Sequence, residues 1–101
     1  MIEKIKTLAK EINDSIVAFR RQLHSCPELS FVEYETSQLI QDALDSWGIE
    51  NISMNVTGVV ATIKGRNPEK RTVALRADID ALPIHETNDC DYKSMRQNVM
   101  H

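Results

Sequence analysis

Ile2, Ile5, Ala9 and Ile12 recur at steps of three and four while Glu3, Lys4, Lys6 and Lys10 fall between them, so the opening residues place one apolar stripe on a helix. Asn13-Asp14 can cap a second helix, because a short side-chain oxygen accepts from the free N–H groups of a first turn. Ile16, Phe19 and Leu23 carry the stripe on until Pro27, which removes a donor and restricts the residue before it. The two helices are expected to run together with a kink. Ser30-Phe-Val-Glu33 has the form of a capping box and predicts a third helix start. Leu39, Ile40, Ala43, Leu44 and Trp47 form its expected buried stripe, and Gly48 can take the left-handed conformation that ends it.

The period then changes. Ile52, Met54 and Val56 alternate with polar residues, and Gly58 precedes the run Val59-Val60-Ala61-Thr62-Ile63, which reads as strand. Gly65-Arg-Asn-Pro-Glu-Lys70 is turn chemistry and Thr72-Val-Ala-Leu75 is again β-rich, so residues 58–75 are expected to form an antiparallel hairpin. Leu82-Pro83 blocks a strand, Thr87-Asn-Asp-Cys-Asp91 has no period, and the chain beyond Asp80 reads as loop. The pattern predicts one α/β unit, N-terminal helices followed by a β-hairpin.

Composition narrows the partners. A chain of 101 residues suits one small domain that buries roughly two-thirds of its unfolded surface. A net charge of -3 with acids and bases interspersed leaves no basic stripe, so nucleic acid and anionic membrane surfaces are not expected partners. No signal-peptide core or membrane-length apolar run is present, and the default expectation is a cytoplasmic protein. Cys26 and Cys90 match neither a disulfide framework nor a zinc-knuckle spacing and are expected to stay reduced, without a role.

Asp78 and Asp80 carry the main chemical interest. They sit two apart just after an expected buried strand, where extended backbone would aim both the same way, and paired oxygen donors suit divalent metals or the orientation of a metal-binding histidine. Taken alone, the pattern favours a plainer reading in which Arg76 pairs with one aspartate and both cap a turn. His24, His85 and His101 share no ligand spacing. His24 ends a helix, where the C-terminal dipole favours an imidazolium. Arg20-Arg21 could anchor a substrate carboxylate, but a solvated helix face with salt bridges to nearby acids is the better reading. There is no nucleophile elbow and no glycine-rich phosphate loop.

Several segments in order are more specific than any one of them. Arg20-Arg-Gln-Leu-His-Ser-Cys-Pro-Glu-Leu29, Glu33 and Thr36, Thr57-Gly-Val-Val-Ala-Thr-Ile-Lys-Gly65 and Arg76-Ala-Asp-Ile-Asp-Ala-Leu-Pro-Ile-His-Glu86 together resemble the metal-dependent amidohydrolases of the aminoacylase/carboxypeptidase superfamily. The branch resembled contains hippurate hydrolases, auxin-conjugate hydrolases and N-acetyldiaminopimelate deacetylases. Asn98 departs from the pattern, since relatives commonly have glycine before Val-Met-His.

The resemblance implies that residues 1–101 are the N-terminal, incomplete part of a zinc-peptidase-like catalytic domain with a partial mixed sheet. It implies two divalent ions, zinc, manganese or cobalt, in the complete enzyme, where they lower the pKa of a bridging water that attacks the amide of an N-acyl amino acid. Asp80 matches the aspartate that in other branches orients a metal-binding histidine, and Asp78 stands where those branches have the histidine. In the family Met-His is followed by Ala-Cys-Gly-His-Asp, which supplies ligands, so the stretch ending at Met100-His101 is expected to hold no metal alone and to be inactive. Arg76, Asp78 and His101 are expected near the site. The alternative is a non-catalytic α/β protein that pairs with another chain; in either case an open sheet edge favours self-association.

Overall fold

The computed structural model describes all 101 residues. Two helices, α1 (Ile2–Ser25) and α2 (Tyr34–Ser46), precede two strands, β1 (Glu50–Met54) and β2 (Gly58–Thr62), and the remainder is irregular. This is the α/β arrangement of helices followed by a hairpin, although the sheet is a purely antiparallel pair. The parallel component of a mixed sheet is represented by one isolated bridge, Leu29 with Ala81.

α1 is a single helix rather than two. Asn13 and Asp14 do not cap; the Asn13 amide instead reaches the Asp14 carboxylate at 3.4 Å. Residues 2–25 contain neither glycine nor proline, and the apolar stripe stays in phase through position 23. An interior Asn or Asp costs well under about 1 kcal/mol relative to alanine, less than reopening the helix would. Ile2, Ile5, Leu8, Ile12 and Ile16 are nevertheless exposed. Only the last turns find neighbours, with Phe19 edge-on to Trp47 at 6.3 Å between ring centroids.

The start of α2 is also built differently from the capping-box expectation. Ser30 Oγ donates to Asp80 Oδ2 at 2.5 Å and caps nothing. The free amides of the first turn are taken by Glu28, whose carboxylate accepts from the Glu35 N–H at 3.2 Å and from the Thr36 N–H and Thr36 hydroxyl, each at 2.6 Å. A charged acceptor makes hydrogen bonds roughly twice as strong as a hydroxyl's and also complements the positive helix end, so once the turn at Pro27 brings Glu28 there it outcompetes Ser30. The C-terminus follows expectation: α2 ends at Ser46, and Gly48 adopts φ 68°. Its inner face is only half covered, and Trp47 is 57% exposed.

The hairpin is shifted from the expected 58–75 register. Met54 faces Gly58 and Glu50 faces Thr62, so the loop is Asn55-Val56-Thr57 and Gly65–Lys70 closes no strand pair. A three-residue connection has a lower closure entropy than a loop through residue 70. The tight turn requires φ 48° at Asn55 and 74° at Val56. It also requires glycine at 58, where a Cβ would lie 2.8 Å from the Met54 carbonyl oxygen. Thr72–Leu75 is not a strand, and Val73 and Leu75 lie 76% and 97% exposed with no β partner. The placement of Asp78 and Asp80 after a buried strand is corrected accordingly: they follow an exposed extended segment.

Only nine residues are buried, and the sole apolar ones are Ala81 and Pro27. The others are His24, Glu28, Glu33, Thr36, Ser37, Thr57 and Glu86. All but Thr57 lie where the end of α1, the start of α2 and the segment from Ile79 onward meet. Backbone bonds join these pieces: Ala81 N–H to Glu28 O at 2.7 Å, Met95 N–H to Ser25 O at 2.8 Å, and a reciprocal pair between Leu82 and Met100 at 2.8 and 3.1 Å.

Candidate functional site

A cleft of about 170 Å3 opens at this junction, walled by Arg20, Leu23 and His24 of α1, Thr36 of α2, and Asp78, Ile79 and His101. A wider hollow of about 380 Å3 over the 65–70 turn is walled by Asn67, Lys70 and Arg71. None of its lining residues is hydrophobic, and it shares no residue with the polar junction.

His24 is held from the far end of the chain. Its Nε2 donates to Glu86 Oε1 at 2.8 Å, with both side chains almost fully buried. The other Glu86 oxygen accepts the Ser94 N–H at 2.6 Å. The Ser94 amide, then the His24 ring, draw the Glu86 carboxyl down from its ordinary 4.5 to about 2 against the opposing effect of burial. Burial pushes the Glu28 carboxyl upward, but the Thr36 hydroxyl and amide, the Glu35 amide and the Arg96 charge outweigh it and leave it lowered. One buried acceptor here, Glu33 Oε2, has no partner.

The residues singled out by sequence are partly brought together. Asp78 and His101 share the cleft, whose wall also carries Arg20. Arg76 lies outside it and pairs with Asp78 at 2.9 Å in an exposed ion pair, as the plainer reading of this segment expects. Asp80, half-buried, is tied to Ser30. His101 is exposed; its Nε2 lies 3.4 Å from the Ile79 carbonyl and its ring 6.0 Å from that of His24. Neither Arg20 nor Arg21 makes the expected salt bridge, and Arg21 lies over the Tyr92 ring at 4.6 Å.

Sequence reasoning missed the His24–Glu86 pair and the role of Glu28. No spacing rule joins positions 62 residues apart. The available signal was that both lie inside the two most specific motifs, Arg20–Leu29 and Arg76–Glu86.

The donor set does not suit a metal centre unaided, since no three His, Cys, Asp or Glu side chains converge. Asp78 faces Arg76, Asp80 faces Ser30, and His24 and Glu86 face each other. A dinuclear site needs several convergent donors with one position open.

The chain is 49% identical to "Thermostable carboxypeptidase 2" of Saccharolobus solfataricus over its whole length, covering 26% of that protein. It is 44% identical to an N-acyl-L-amino acid amidohydrolase of Geobacillus stearothermophilus, over 98% of this chain and 27% of the relative. The crystal structure of the Bacillus subtilis YxeP protein, a dinuclear metal binding peptidase from the M20 family, superposes with a TM-score of 0.85 at 41% identity, over 91% of this chain and 26% of that one. Over nearly all of its length the chain is thus similar to one part of a carboxypeptidase, of an N-acyl-L-amino acid amidohydrolase and of an M20-family peptidase. No protein-family model matches it. The chain spans about a quarter of the length of the curated relatives it matches. No helix of the chain is long and apolar enough to cross a membrane.

Proposed function

We propose that residues 1–101 are the N-terminal part of the catalytic domain of a cytoplasmic, metal-dependent amidohydrolase that cleaves the amide bond of N-acyl amino acids or related conjugates. The observation that carries this reading is the similarity of the chain, over 100% and 98% of its length, to a carboxypeptidase and an N-acyl-L-amino acid amidohydrolase. In the complete protein two divalent ions, zinc, manganese or cobalt, supply the activated water, with their ligands drawn mainly from outside this stretch. Asp80 is the candidate for orienting a ligand, and Asp78, Arg76 and His101 stand near the substrate.

The experiment is a chimera in which this chain replaces the matching quarter of the Geobacillus enzyme. Metal-dependent hydrolysis of an N-acyl amino acid by the folded chimera, lost on chelation, supports the reading. A folded chimera without activity overturns it. The chain by itself, incubated with zinc, manganese or cobalt and the same substrate, is expected to give no turnover above a metal blank.

A further inference from the structure

We infer that Glu86 is a positioning residue, a two-oxygen latch that fixes the Leu82–His101 segment against α1 and thereby places His101 at the cleft. Oε1 reaches back 62 residues to His24 on the last turn of α1, and Oε2 takes the Ser94 amide, so one carboxylate joins the helix to the segment. From Ser94 the connection runs onward, because its hydroxyl donates to the Val99 carbonyl at 2.6 Å and accepts the Arg96 N–H at 3.2 Å. Met100 then closes on Leu82 through two backbone bonds. His101 itself has little to hold it. It is exposed, and its one polar contact is the 3.4 Å approach to the Ile79 carbonyl, beyond the distance of a good N–H···O bond. Its place opposite Asp78 and Arg20 is therefore inherited from the bonds that precede it in the chain. Glu86 is the member of that set whose two oxygens serve both sides.

The inference concerns this chain's own geometry and stands apart from the amidohydrolase reading. It is tested by amide exchange and imidazole NMR on the full chain, with the exposed His85 as internal reference. Glu86→Ala is expected to raise exchange of the Leu82 and Met100 amides on the order of tenfold, the effect of losing buried charge-assisted bonds. It should also move the His101 signal toward that of His85 while leaving the β1–β2 amides unchanged. Glu86→Gln keeps the shape and offers its carbonyl to Ser94, so it should restore most of the protection. Ser94→Ala, which retains both Glu86 bonds but cuts the tie to Val99, should loosen Met100 and spare Ala81. Unchanged exchange and an unmoved His101 signal in Glu86→Ala would overturn the latch. So would loosening of the hairpin to the same degree, or a wild-type segment 82–101 that exchanges as an unfolded chain does.

Discussion

The polar junction and the apolar faces of this chain are finished to different degrees. At the junction nearly every buried polar group has its partner within the 101 residues: Glu28 with Glu35 and Thr36, Glu86 with His24 and Ser94, Ala81 with Glu28. Along α1 the reverse holds. Ile2, Ile5, Leu8, Ile12 and Ile16 form a regular stripe and remain 46–69% exposed. Hydrogen bonds are short-range and directional, so a few residues at the right positions complete a set. Apolar burial is proportional to area, and about 1.5–3 kcal/mol per large aliphatic side chain is gained only where another surface covers it. The chain thus carries a polar centre that, Glu33 Oε2 apart, is partnered within itself, beside apolar faces that lie exposed.

The largest effect should come from removing Glu28. Glu28→Ala leaves the Thr36 amide and hydroxyl buried without an acceptor, and a destabilisation of about 2–3 kcal/mol is expected, read as the shift in a urea unfolding curve followed by circular dichroism. In a chain with so little buried apolar surface that is a large part of the total. A shift below about 0.5 kcal/mol would show that the junction does not hold the fold.

Acid should act on the same region. Glu86 prefers its charged form in the fold, with its carboxyl at about 2 against 4.5, and Glu28 is shifted in the same direction. Their contribution is fully present above about pH 4.5 and is lost as pH falls toward 2. An unfolding midpoint that drops through this window in the wild-type chain, and drops less in Glu86→Gln, is the expected result.

The shape of the helices was legible in the sequence because periodicity is a local property. The stripe from Ile2 to Leu23 and the stop at Gly48 needed no distant information. What was not legible depended on partners far along the chain. Ser30 reads as a cap only until Asp80 and Glu28 are known to compete for its position, and Thr72–Leu75 reads as a strand although no neighbouring strand is present to pair with it. Of the candidate site, Asp78 and His101 were singled out through motif resemblance, and both line one cleft, while Arg76 lies outside it. His24–Glu86 was not, for want of any spacing rule across 62 residues.

The hairpin offers a moderate effect with an informative sign. Gly58→Ala would set a Cβ 2.8 Å from the Met54 carbonyl and should destabilise by about 1–2 kcal/mol. Val56→Gly relieves a left-handed φ of 74° and should be neutral or stabilising by up to about 1 kcal/mol. Thermal melts of the two variants should move in opposite directions or leave Val56→Gly unmoved.

The smallest stability effect is expected on the open face. Ile5→Lys and Ile12→Lys alter exposed positions and should change the unfolding free energy by no more than about 0.5 kcal/mol. The same pair should reduce association on size exclusion, because the contiguous stripe is what another surface would cover. A wild-type chain that elutes as a monodisperse monomer and melts cooperatively would contradict the picture of unfinished apolar faces.

Residue-resolved hydrogen exchange on the wild-type chain tests the contrast most directly. The amides of Thr36, Ala81 and Ser94 at the junction should be protected more strongly than those of Leu8 to Ile12 in the exposed part of α1. Equal protection, or stronger protection along the stripe, would contradict a fold held by its polar centre.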